Sequence, residues 1–222
     1  MAFEGIGLRL RFLLLHRHHL RRITHKREMP HADSSLVPDE IQTKAQFWSH
    51  VYMQLVPLLD GQRNWVSNLA NASSLIYNAL LAFRTHFGPD PGRSVNWCGF
   101  YIDSACFPKS ADSNIEGRRL LLGPFCGKPA CQFINVTPGK ARGVCADAFM
   151  HAKTKLVPDV DSYPGHIACD GETKSEIVCP LLNGNQVLGV LDLDCLAIAG
   201  FDEDDQKGLE RITELVVTAC DW

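Results

Sequence analysis

Apolar side chains recur along this chain first at helical and then at strand spacing. Residues 34–40 read as a linker. Ile41, Ala45, Phe47, Trp48, Val51, Tyr52, Leu55 and Leu59 then share one helical face, and Asp60-Gly61 ends the run. Asn64-Trp65-Val66 opens a second helix that buries Leu69, Ala72, Ser73, Ile76, Leu80 and Phe83 and stops before Gly88-Pro89-Asp90-Pro91-Gly92. Strand patterns follow at 95–102, 119–123, 177–182 and 187–194. The last two are joined through Asn183-Gly184-Asn185, a hairpin signal. Phe201, followed by Asp202-Glu203-Asp204-Asp205, caps a final helix carrying Leu209, Ile212, Leu215 and Val216. This order predicts an α+β fold, one antiparallel sheet with helices packed on it.

A long stretch, 124–175, separates the second and third strands. A short helical piece is expected at 144–152. The rest is rich in Gly, Pro, Asp and Cys, and loops of that length inside a compact domain usually carry function.

Alternation fixes which side chains share a face of a strand. Trp97 and Tyr101 point the same way with Gly99 between them, which leaves a gap walled by rings; core packing is the plainer reading. Asp192 and Asp194 share one face of the last strand while Leu191 and Leu193 share the other. Two carboxylates projected together repel, and partial burial then raises one pKa, as a proton donor needs. The pair also suits an ammonium group, or a solvated outer face.

The chain has 222 residues, 45% apolar and 21% charged, enough for one domain with a sizeable core. Its net charge of −3 is uneven: residues 1–30 carry +5, leaving −8 for the rest. We set residues 1–33 apart as a basic extension, a transit peptide or a disordered tail, and take 34–222 as the domain. The acidic body argues against nucleic acid as a partner, and no apolar run reaches the ~20 residues of a membrane span.

Nine cysteines are present without any CxxC spacing, which fits neither a zinc ribbon nor a secreted disulfide scaffold. In a reducing compartment they are core thiols or chemical ones. Cys98, Cys179 and Cys195 fall in or beside strands and read as core. Cys106, Cys126 and Cys220 take no assigned role. Cys131, Cys145 and Cys169 fall in Gly-rich segments supple enough for two thiols to meet, so a redox pair is expected among them. His166 stands without partner histidines at ligand spacing and reads as structural.

Trp97-Cys98-Gly99-Phe100-Tyr101, Leu122-Gly123-Pro124-Phe125, Gly127-Lys128-Pro129-Ala130-Cys131, Gly143-Val144-Cys145, Val157-Pro158-Asp159-Val160, Pro164-Gly165-His166-Ile167-Ala168-Cys169-Asp170, Ser175-Glu176-Ile177-Val178 and Gly189-Val190-Leu191-Asp192-Leu193-Asp194 form a specific set. With these motifs the chain resembles the free methionine-R-sulfoxide reductases, GAF-domain enzymes, over roughly residues 41–222. The resemblance implies a GAF fold, Cys169 as nucleophile, Cys131 as the usual resolving cysteine, and Cys145 as a third cysteine with a catalytic or resolving role. It implies that Glu176, Asp192 and Asp194 surround the substrate, with Trp97 and Tyr101 walling the pocket. The substrate so implied is free methionine-R-sulfoxide, with electrons from thioredoxin and no metal or organic cofactor. A cytoplasmic location follows, or a mitochondrial one if the basic extension is a transit peptide; a homodimer through the helical side is an analogy. The rival readings are a non-catalytic GAF module for a small ligand such as a cyclic nucleotide, and a redox sensor.

Three departures stand out. Cys126 adds a thiol that could compete in disulfide exchange. The loop from Cys131 to Cys145 looks long for the family and could shift how Cys131 approaches Cys169. An insertion at 104–118 is expected to extend a hairpin.

Overall fold

The computed structural model describes residues 32, 33, 36–108, 117–167 and 169–222. The basic stretch 1–30, with its targeting and tail readings, lies outside the described residues, as do 109–116 of the 104–118 insertion. Helices α1 (Lys44–Leu59) and α2 (Trp65–Ala82) come first. Then come strands β1 (Val95–Asp103), β2 (Arg119–Gly127) and β3 (Phe133–Asn135), helix α3 (Val144–His151), strands β4 (Lys155–Val157), β5 (Ser175–Asn183) and β6 (Gln186–Cys195), and helix α4 (Glu203–Thr218). The strands form one antiparallel sheet in the order β3-β2-β1-β6-β5-β4.

The helix starts follow from capping. Thr43 accepts a hydrogen bond from the Gln46 backbone N–H and Gln46 answers in a capping box, so α1 begins at Lys44 rather than at Ile41. Asn64 caps α2 through the Ser67 N–H. Asp202 caps α4 through Asp204 and Asp205. The predicted hairpin is tight, with Asn183 paired to Gln186 and Gly184 at φ +58°.

Two departures from the sequence expectation have plain causes. β2 runs on past Pro124 to Gly127, because a bulge opposite Phe100 absorbs a residue that cannot donate to the ladder. β3 and β4 have three residues each, too few for alternation to show.

The sheet separates two apolar layers. On one face α1, α2 and α4 pack over Cys98, Phe100, Ile102, Ile177, Cys179, Leu191 and Leu193. On the other, α3 and its flanking loops cover Trp97, Tyr101, Val178 and Val190. The helix layer is pinned by Asp205, which is fully buried. It accepts from Lys44 Nζ at 2.5 Å and from Trp48 Nε1 at 2.8 Å. Beside it, Gly208 lets α4 close on α1, since a Cβ there would fall 2.2 Å from Trp48 Cγ. Gly208→Ala is therefore expected to lower unfolding free energy by about 1–3 kcal/mol in a urea titration, although alanine favours a helix by about 1 kcal/mol. An unchanged or raised midpoint would contradict this packing.

Candidate active site

Register builds the site. Across three strands, Trp97 of β1 pairs with Asp194 of β6, which pairs with Glu176 of β5. In the next row Gly99 pairs with Asp192, and Asp192 with Val178. The alternation that sends Leu191 and Leu193 into the helix layer sends Asp192 and Asp194 to the other face, into a cavity of about 260 Å³. All eight residues singled out in the sequence line it: Trp97, Tyr101, Cys131, Cys145, Cys169, Glu176, Asp192 and Asp194.

The aromatic wall differs from expectation in one respect. The space beside Gly99 is not left open. The Trp97 indole and Phe125 occupy it, and an added Cβ would meet Phe125 Cβ at 2.3 Å and Trp97 Cη2 at 2.7 Å. Trp97 is stacked between Tyr101 (5.7 Å) and Phe125 (5.6 Å). Its indole N–H is buried without a partner among the described residues. Tyr101 donates its hydroxyl to the Cys131 carbonyl at 2.9 Å, which ties the Cys131 loop to β1.

The cavity floor is acidic. Glu176 and Asp192 are nearly inaccessible to solvent. Burial, then its neighbour Asp194, pushes Glu176 up to about 7, while a hydrogen bond from His166 opposes the rise. Burial and the Glu176 charge hold Asp192 well above the carboxylate range. Asp194 is raised by burial and by Asp192. Asp192 Oδ1 has no hydrogen-bond partner among the described residues.

The three cysteines divide. Cys169 is the exposed one of the nine. It lines the cavity with Cys131, whose thiol is its neighbour there. Desolvation first, and that thiol contact second, push Cys169 up to about 12. The 131–145 loop leaves Cys131 on the same cavity wall as Cys169. Cys145 corrects the sequence reading: it is not on a supple segment but buried in the first turn of α3. Its thiol donates to Asp192 Oδ2 at 3.2 Å and lies 3.9 Å from Glu176 Oε1. Burial and those two acids raise its pKa well above that of a free thiol.

Cys126 is also corrected. It pairs with Cys98 in register and turns toward the Ser73 and Ser74 hydroxyls of α2, on the opposite sheet face from the cavity. The sheet stands between it and the Cys131–Cys169 side. Cys98, Cys179 and Cys195 lie in the core as expected, joined by Cys220.

Other site residues escaped the sequence reading. His166 Nε2 lies 3.3 Å from Glu176 Oε2, although it had read as structural. Asn96 donates to Asp170 Oδ2 at 3.0 Å and to Thr173 Oγ1 at 3.1 Å. Lys128 pairs with Asp170 at 3.0 Å and with Glu172. These contacts brace the segment on which Cys169 sits. The nearness of His166 and Asp170 to Cys169 in sequence was the available signal; their partners lie on other elements and were not visible.

Comparison with known proteins gives the family of this fold. A GAF domain matches residues 94–220. The chain is 43% identical to the free methionine-R-sulfoxide reductase of Saccharomyces cerevisiae over 178 residues, which is 80% of this chain and 87% of that protein. It is 34% identical to the free methionine-R-sulfoxide reductase of Escherichia coli, covering 81% of this chain and 93% of that one. The free methionine-R-sulfoxide reductase of Neisseria meningitidis, solved in complex with its substrate, superposes with a TM-score of 0.64 at 32% identity, covering 80% and 90% of the two chains. By these identities over most of both chains, and by the GAF match, this chain belongs to the free methionine-R-sulfoxide reductase family of GAF-domain proteins.

Proposed function

We propose that this protein reduces free methionine-R-sulfoxide to methionine with its own thiols and is recharged by thioredoxin. The carrying observation is that Cys169 and Cys131 line one cavity floored by buried acids. At about 260 Å³ the cavity is below the roughly 300–1,000 Å³ of pockets for drug-sized ligands. That favours a free amino acid over the cyclic nucleotide of a sensor module.

The Cys169 sulfur attacks the substrate sulfur, and Asp192, kept protonated by burial, gives its proton to the sulfoxide oxygen. The protonated oxygen passes to Cys169 as a sulfenic acid, methionine leaves, and the proton lost by the Cys169 thiol restores Asp192. Cys169 loses the two electrons that the substrate sulfur gains. The Cys131 thiol then displaces water from the sulfenic acid to form a disulfide. A dithiol of the thioredoxin class removes it by exchange. Glu176, with Asp194 paired to it across the strands, binds the substrate ammonium, a charge that a peptide-bound residue lacks. Cys145, held by Asp192 and Glu176, supports the acids rather than resolving the sulfenic acid. The chemistry draws on no metal or organic cofactor. We place the protein in the reducing cytoplasm; import into mitochondria is the alternative if residues 1–30 act as a transit segment.

In a thioredoxin-coupled assay followed by NADPH consumption, the free R isomer is expected to turn over. Its N-acetyl derivative should show a kcat/KM lower by about 100-fold or more; equal turnover of the two would overturn the ammonium site. Cys169→Ser should abolish turnover. Substrate added without thioredoxin should leave a Cys131–Cys169 bridge in a peptide map, and full activity in Cys169→Ser would sink the assignment.

A pH series tests Glu176. Its ionised form binds the ammonium, and its pKa lies at about 7. Lowering the pH protonates it, so kcat/KM should fall by about tenfold per unit below that point. Glu176→Gln should raise KM and remove this acid limb. The same limb and the same KM in the variant would refute the role.

A further inference from the structure

We propose that the floor of the cavity is also a binding site for a thiophilic divalent cation of the zinc class, held by Cys145, Glu176 and Asp192. An ion there excludes the amino-acid substrate. The binding claim stands on the geometry alone; the exclusion rests on the proposed function.

The ligand set is already assembled. The Cys145 sulfur and one oxygen each of Glu176 and Asp192 lie within 4.8 Å of one another, all three residues buried. In a tetrahedral zinc site, with sulfur at about 2.3 Å and oxygen at about 2.0 Å, neighbouring sulfur and oxygen ligands stand about 3.5 Å apart. Here the two sulfur–oxygen separations are 3.2 and 3.9 Å, bracketing that edge. Little movement would place an ion between them.

A second observation points to a missing cation. Asp192 is 6% exposed, and its Oδ1, on a side chain lining the cavity, has no donor among the described residues. An acceptor left unsatisfied at such depth is costly, and an ion held by both Asp192 oxygens, Oδ2 beside the Cys145 sulfur and Oδ1 next to it, satisfies it. His166 holds the other Glu176 oxygen, Oε2, which fixes the carboxylate as partners of metal-bound carboxylates do. The chemical class follows from the donors. A thiolate with two carboxylates suits zinc or cadmium, whereas calcium and magnesium take oxygen alone. Three protein ligands leave a fourth position open toward the cavity. The substrate ammonium and the ion would use the same acids, so they cannot be bound together.

The test uses full-length reduced protein carrying Cys131→Ser and Cys169→Ser, which removes the thiols at the cavity mouth. Cadmium chloride is titrated and followed by the sulfur-to-cadmium charge-transfer absorption. One equivalent should saturate the band. Adding Cys145→Ser should abolish it, and adding Glu176→Gln instead should weaken affinity by about tenfold or more. Saturating free methionine should release the ion. Absence of a band in the double variant, or its survival after Cys145→Ser, overturns the proposal. If Cys145→Ser unfolds the protein, unchanged affinity in Glu176→Gln overturns it instead. In the wild type, zinc should inhibit competitively with the sulfoxide. Cadmium bound without any sulfoxide turnover would overturn the proposed function and leave the ion site standing; turnover with no bound cadmium would do the reverse.

Discussion

Like-charged groups forced together out of water are the constraint on which this molecule turns. β6 can bury Leu191 and Leu193 under the helices only by pointing Asp192 and Asp194 the other way. β5 repeats the arrangement, with Ile177 inward and Glu176 opposite Asp194. A slip of one residue in either strand would put carboxylates into the helix core. Hydrophobic burial therefore enforces the acid cluster. Two unit charges 4 Å apart repel by about 4 kcal/mol at an effective dielectric of about 20. The cluster cannot stay fully ionised, so it stores protons. Glu176, steadied by His166, gives its proton up more readily than Asp192, which the Glu176 charge holds back. One β-sheet face thus carries both an anion and an acid, which is what binding an ammonium while protonating an oxygen requires.

The sheet also sorts the cysteines. Its helix-covered face takes Cys98, Cys179 and Cys195 as small apolar side chains. The cavity face takes Cys145, and the loops above it take Cys131 and Cys169. Within the cavity, position decides role. Cys145 faces acids that disfavour its thiolate. Cys169 faces another thiol at the open side. A sulfur at the mouth meets both an incoming small molecule and an outside dithiol, whereas a sulfur at the floor meets only the former.

Much of this was legible in the chain. The helix periods, the Asn-Gly hairpin and the alternation at 187–194 placed the main elements and the acid pair, because burial on one face is written directly into a period of two or 3.6. The resemblance of motifs brought Cys131, Cys169 and Glu176 to the same place. What stayed hidden depends on distant partners. His166 looks isolated until β5 brings Glu176 beside it. Cys145 looked supple because Gly143 precedes it, yet Gly143 only starts a helix whose first turn is buried. Gly99 suggested an open gap, but a glycine marks close approach without saying what approaches, and here the indole of Trp97 does.

That indole explains why the acids remain potent. Trp97, Tyr101 and Phe125 stack into a continuous wall, and Tyr101 fastens the Cys131 loop over it. Water has little room beside the floor, so the cluster's field acts on the ligand rather than on solvent. A wetter pocket would let all three carboxylates ionise independently and would lose the proton donor. A drier one, without His166 and the open side at Cys169, would protonate them all and lose the anion. The half-enclosed cavity keeps the two states side by side, and the same balance makes it a natural trap for a cation that can replace the missing charge.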